Sequence, residues 1–151
     1  MGDNAGGTYT LLIERPRATE IEVGALGRIE FDAGWYAYVG SALGTGGFSR
    51  IDRHRELAAG ERDTRHWHID YLLGHPDSAL AEVVTSGGVD GECRVAGALA
   101  GEQRGGGTVD FDAVPDFGCS DCGCDSHLFH APASDPLREA VADAHGHVRS
   151  E

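Results

Sequence analysis

The stretch GWYAYVGSALGTGGFSRIDRHRE (residues 34–56) decides how the rest of this chain is read. Its first half alternates, with Trp35, Ala37 and Val39 facing one way and Tyr36 and Tyr38 the other, which predicts a strand. Glycines at 44, 46 and 47 then break it. Ser49 and Asp52 have capping-box spacing, so a helix should open there, with Phe48, Ile51 and Ala58 lining its inner side and Gly60 ending it. Arg50 and His54, four residues apart, share one face of that helix. The unsatisfied N–H groups and partial positive charge of the helix N-terminus lie beside them. A glycine-rich turn before such a terminus lets an anion approach the backbone closely. Between Arg50 and His68 there are five arginines and three histidines against four acids, so this segment runs against the charge of the whole chain.

Working outward, TYTLLIE (residues 8–14) predicts a strand with Tyr9, Leu11 and Ile13 on one face. Residues 21–31 read as two short strands about a turn at 24–27. HWHIDYLLG (residues 66–74) predicts a short helix with Trp67 and Leu72 in the core. ALAEVVTS (residues 79–86) predicts a further strand, and GECRVAGALAG (residues 91–101) a helix. EQRGGGTVDFDAVPD (residues 102–116) is the loosest part and reads as a surface excursion. No internal repeat is present. The order of elements predicts an α+β fold, a small mixed or antiparallel sheet flanked by helices, with 21–31 as an added hairpin. Residues 1–130 are expected to form the domain and 131–151 a C-terminal tail with helical character.

The 151 residues carry a formal net charge of −13, from 14 Asp and 11 Glu against 12 Arg, with no Lys at all. Acid-rich surfaces ordinarily intersperse lysines, and their complete absence predicts a protein adapted to concentrated salt, from a halophilic cytoplasm. High salt suppresses the counterion release that drives phosphate binding. Any nucleic-acid contact must then rest on bidentate arginine geometry, shape or metal. No stretch reaches the ~18 apolar residues of a membrane helix, and the N-terminus lacks the basic and apolar regions of a secretory signal. The expected setting is cytoplasmic, with no membrane partner. Cysteines at 93, 119, 122 and 124 are then more consistent with thiols or metal ligands than with a disulfide framework.

Tyr9 on one strand and Tyr38 on another each stand beside a glycine or a small residue, which should leave their hydroxyls accessible. Two such hydroxyls converging on an Arg/His helix face suit activation of water against a phosphodiester. GTY (residues 7–9), YVG (residues 38–40) and an arginine and histidine four apart together resemble the GIY-YIG nuclease superfamily. Across residues 7–129 the chain is similar to its archaeal branch, the Uri-superfamily endonucleases, also known as DUF123. The resemblance implies a catalytic group of Tyr9, Tyr38, Arg50 and His54. Tyr9 would help to deprotonate the attacking water, and Tyr38 would bond near the phosphate. Arg50 would stabilise charge on the phosphoryl oxygens and His54 would carry the proton onward. Gly40, Ser41 and Arg53 would contact the substrate backbone. Glu92 would hold one Mg²⁺ or Mn²⁺. The implied substrate is DNA, in repair or recombination, and RNA would suit the same chemistry.

CSDCGCDSHLFH (residues 119–130) is a second concentration of donors. Cys122, Cys124 and His127, with Cys93 or Cys119, would complete a tetrahedral Zn²⁺ site, although C-x-C is tighter than the usual spacing. Two alternatives to a nuclease stand beside it: a catalytically inactive nucleic-acid-binding module of the same fold, and a zinc-stabilised interaction domain.

Overall fold

The computed structural model describes residues 7–41, 49–61, 68–75, 78–87, 95, 99, 112–113 and 127–150. Its strands are β1 (Gly7–Arg15), β2 (Thr19–Glu22), β3 (Arg28–Phe31), β4 (Gly34–Ser41), β5 (Ala79–Gly87), β6 (Asp112–Ala113) and β7 (Leu128–Ala131). Its helices are α1 (Ser49–Ala58), α2 (His68–Leu73) and α3 (Ser134–Ser150). Five strands form one antiparallel sheet in the order β5-β1-β4-β7-β6, and β2 and β3 form a separate hairpin. The fold is α+β, as the order of elements predicts.

The sheet is covered on both faces, and the strand alternation decides what each face receives. Tyr9, Leu11 and Ile13 of β1, with Tyr36 and Tyr38 of β4 and Leu128 of β7, share a core with Ile51 and Leu57 of α1. Ile69, Leu72 and Leu73 of α2 and Ile21 and Phe31 of the hairpin complete that layer. Leu12, Ala37, Val39, Phe129 and Ala131 face the other way, against Leu137, Ala140, Val141 and Ala144 of α3. Val95 and Leu99, both helical, join this second core. The C-terminal segment is therefore a packed layer of the fold. Its apolar residues fall at 137, 140, 141 and 144, the spacing of one helical stripe.

On the inner side of α1 the expected Ile51 is buried and Ala58 packs against the same core, joined by His54 and Leu57, so a histidine occupies the middle of the apolar face; Phe48 lies outside the described residues. Two sequence expectations are corrected here. The segment read as a surface excursion supplies β6, whose Asp112 and Ala113 pair with His130 and Phe129. Leu128–Ala131, read only as the end of the cysteine segment, is a sheet strand pairing with β4 from Trp35 to Tyr38. Gly60 ends α1 as expected: its φ of 79° lies in the left-handed region, which glycine enters without steric cost.

Because β1 is covered on both faces, its polar residues had to be matched. Thr10 and Ser86 lie on the α3 side, and both are fully buried with His145. One ring nitrogen of His145 bonds the Thr10 hydroxyl at 2.8 Å and the other bonds the Ser86 hydroxyl at 2.8 Å. A neutral imidazole offers one donor and one acceptor, and a hydroxyl can serve either, so the three groups satisfy one another. They join α3 to the two neighbouring strands. At the opposite end of β1, Arg15 is buried and donates to the Ser78 hydroxyl.

Tyr36 donates its hydroxyl proton to the Asp32 carbonyl oxygen at 2.8 Å, and its ring meets Phe31 edge-on and His130 at a tilt. Burial, followed by the Asp32 charge, holds this phenol well above its ordinary pKa, against the opposing pull of Arg15.

Two outcomes follow. Replacing His145 by Ala leaves two buried hydroxyls unmatched and opens a cavity, a loss of about 2–4 kcal/mol. Urea unfolding should show this as a lower midpoint, whereas an unchanged midpoint would mean that the apolar stripe alone holds α3. Tyr36 is neutral in folded and unfolded chains below about pH 10. Above that the unfolded chain sheds the proton while the folded one keeps it, so stability falls as pH rises. Tyr36→Phe should flatten this alkaline slope in melts recorded between about pH 9 and 11.

Candidate active site

The antiparallel register of β1 and β4 sets Tyr9 opposite Gly40 and Leu11 opposite Tyr38. Tyr9, Tyr38 and Gly40 thus share one face of the sheet, under α1. A side chain at position 40 would be impossible without movement: a Cβ there would lie 2.5 Å from both Cζ and Oη of Tyr9. The absence of one lets the Tyr9 ring lie flat across β4 and reach the helix.

There Tyr9 Oη and His54 Nε2 are 2.7 Å apart. Either group can donate: with the hydroxyl as donor the imidazole proton resides on Nδ1, and with Nε2–H as donor the hydroxyl oxygen accepts. The Tyr9 and His54 rings are 5.5 Å apart and tilted by 46°. Tyr38 meets the same imidazole edge-on, with centroids 6.4 Å apart. Two tyrosines, one of them 45 positions away in the chain, converge on one imidazole. A hydrogen bond in such a water-poor setting is electrostatically stronger than one in solvent.

The expectation of an accessible hydroxyl is overturned for Tyr9, whose hydroxyl is enclosed against His54. Tyr9 is 1% exposed, His54 0% and Tyr38 9%. Gly40 leaves room for the Tyr9 ring, and α1 packs over it, with Ile51 and Leu57 in the same core.

The other residues expected at the site are distributed as follows. Arg50 lies in the first turn of α1 and Ser41 ends β4, and their side chains fall outside the described atoms. Arg53 points towards α2, where its two terminal nitrogens donate to the two carboxylate oxygens of Asp70 at 2.9 and 2.8 Å. His127 is buried at the start of β7, and its carbonyl accepts from the Val39 amide at 2.9 Å. Glu92, Cys93, Cys119, Cys122 and Cys124 lie outside the described residues, and with them the expected Mg²⁺ or Mn²⁺ ligand and the thiols of the expected Zn²⁺ site. Among the described residues, no group of three or more His, Cys, Asp or Glu could hold a metal ion.

Asp70, fully buried, was missed by the sequence reading. The available signal was a single carboxylate inside the apolar run Ile69–Asp70–Tyr71–Leu72–Leu73, because a buried charge requires a partner.

The fold and this cluster describe an α+β domain with a tyrosine–histidine pair enclosed between a sheet and a short helix. The chain belongs to the family described as "Domain of unknown function DUF123", whose model matches residues 8–150. No curated protein and no solved structure matches it. Among the described residues no helix is long and apolar enough to cross a membrane.

Gly40→Ala tests the close approach directly. The added methyl must displace the Tyr9 ring, an overpacking cost of about 1–3 kcal/mol. The variant should melt lower than wild type and lose the Tyr9–His54 bond, visible as a change in the His54 imidazole nitrogen shifts. A variant of unchanged stability and unchanged shifts would show that the ring has room to yield.

Proposed function

We propose that this chain is a divalent-metal-dependent endonuclease of the GIY-YIG kind, hydrolysing phosphodiester bonds in DNA during repair or recombination. The observation that carries this reading is the 2.7 Å bond between Tyr9 Oη and His54 Nε2, with Tyr38 against the same imidazole. A phenol bonded to an imidazole accepts a proton in two linked moves. In the tautomer with Nε2 unprotonated, the Tyr9 proton passes to Nε2, and the phenolate takes a proton from water. The resulting hydroxide forms a bond to phosphorus as the bond to the leaving oxygen breaks; the departing alkoxide takes a proton from solvent, to which the imidazolium releases the one it gained.

Arg50, in the first turn of α1, is assigned to the phosphoryl oxygens, where a guanidinium stabilises developing charge. Glu92 is assigned as the one protein ligand of Mg²⁺ or Mn²⁺. An ion held by a single carboxylate completes its shell with water and substrate phosphate, and when bound it supplies Lewis-acid stabilisation of the phosphoryl group. The acid-rich, lysine-free composition is read as adaptation to concentrated salt in a halophilic cytoplasm.

A second reading is a binding module of the same fold that does not cleave. It is favoured by the burial of Tyr9 and His54, at 1% and 0% exposure.

The two are separated by incubating labelled single-stranded, duplex, flap and branched DNA with the protein in molar KCl, with Mg²⁺ or Mn²⁺ or with chelator. Wild-type protein should cleave at least one substrate in the presence of metal. Arg50→Ala should lower kcat by about 10²-fold or more, and Tyr9→Phe by about 10²–10⁴-fold, with DNA binding retained. Binding without cleavage by wild-type protein would select the module. Equal cleavage by wild type and Glu92→Ala would remove Glu92 from the metal site.

A further inference from the structure

Arg53 precedes His54 in α1 by one residue, so on a helix the two side chains diverge by about 100°. His54 turns into the sheet face and Arg53 turns sideways to α2. Of the contacts that hold α1 in this rotation, those of Ile51 and Leu57 are apolar, and apolar burial is non-directional. The Arg53–Asp70 pair is different in kind. It is a planar fork on a planar carboxylate, with bonds of 2.9 and 2.8 Å. The Arg53 side chain is 15% exposed and that of Asp70 0%. Two parallel bonds of this sort fix both rotation and translation of one partner against the other. Asp70 is itself held by its helix, whose Ile69, Leu72 and Leu73 are all buried in the same core.

A buried ion pair adds little net stability compared with apolar residues of similar size, and its best-attested use is to select one register. From this geometry we infer that Asp70 and Arg53 are positioning residues: they lock the rotation of α1 so that His54 Nε2 meets the Tyr9 hydroxyl. Arg53 thereby has a role other than the substrate contact that its place in the sequence suggested. The inference builds on the proposed catalytic use of the Tyr9–His54 pair, but the geometry it concerns exists in the free protein.

The test therefore reads the bond itself, without nucleic acid. The double variant Arg53→Met with Asp70→Leu removes the directional bonds and retains buried volume. Proton NMR of the Tyr9 hydroxyl and nitrogen NMR of the His54 ring report the bond directly. In the double variant the hydroxyl proton should exchange about tenfold faster, the factor expected from losing one ordinary hydrogen bond. The Nε2 resonance should move away from its wild-type position. Arg53→Lys, which retains the charge and loses the fork, should give a smaller change of the same sign. A folded double variant with wild-type exchange and wild-type Nε2 shift overturns the inference.

Should the double variant fail to fold, Arg53→Lys decides alone, and unchanged signals there overturn it as well. If wild-type protein does not cleave DNA, these signals still respond, so failure of the nuclease reading is told apart from failure of the positioning role. If it does cleave, the double variant should lower kcat with KM unchanged and shift the pH profile of kcat, neither of which a purely stabilising pair would do in a folded variant.

Discussion

The constraint on which this molecule is built is the two-sided burial of β1. A central strand with helices on both faces cannot leave a polar side chain to solvent on either, so a partner inside the protein offsets the cost of burying it. Adjacent residues of the strand are matched in opposite directions. Tyr9 is bonded by His54 from α1, and Thr10 by His145 from α3. Further along, Arg15 is buried and bonded to Ser78. In each of the first two cases the partner is a histidine set within an apolar helix stripe, and the imidazole reconciles an apolar face with a hydroxyl. The same device thus serves the proposed site on one side and the anchoring of the C-terminal helix on the other.

Charge follows a similar division. The chain has no lysine, so every side-chain cation other than histidine is a guanidinium, with a planar fork that can be engaged inside the protein at lower desolvation cost than an ammonium. Arg53 bonds Asp70 between the helices, while at the surface Arg138 meets Glu82 across α3 and β5 at 2.8 Å and lies over the Trp35 ring. The exposed pair of Arg28 and Glu20 at 3.6 Å, with both side chains more than half exposed, contributes little. Arg53 and Arg55, the two described arginines beside His54 in sequence, are therefore turned to different surroundings. Arg53 is turned into the protein, and Arg55 is exposed beside Asp52.

Much of the architecture was legible in the residues. The alternation in TYTLLIE and WYAYVG assigned both strand faces correctly, because side-chain direction in a strand depends only on parity. Gly60 marked the end of α1 because a left-handed residue there favours glycine. The strands β6 and β7 were not legible: one is two residues long, and the other lies among cysteines and acids that drew a different reading. Their pairing is a long-range event that local pattern does not encode. At the site, the convergence of Tyr9, Tyr38 and His54 followed from the ordered motifs. Their burial did not follow, because it depends on how closely α1 packs over the sheet, a tertiary contact.

The sequence by itself determined the α+β class, the phase of each long strand, the helix that carries Arg50 and His54, and the residue types from which a proton-transferring site can be made. These are properties of neighbours along the chain, read from periods of 2 and 3.6 residues and from the stereochemistry of glycine. The tertiary structure alone decided which polar groups are partners. Asp70 reads as one acid among 25 until the packing of α2 on α1 takes it out of water and places it against Arg53. His145 reads as part of a tail until α3 covers the sheet. The physical reason is common to both: in water a charge or hydroxyl needs no particular partner, and only burial makes one obligatory.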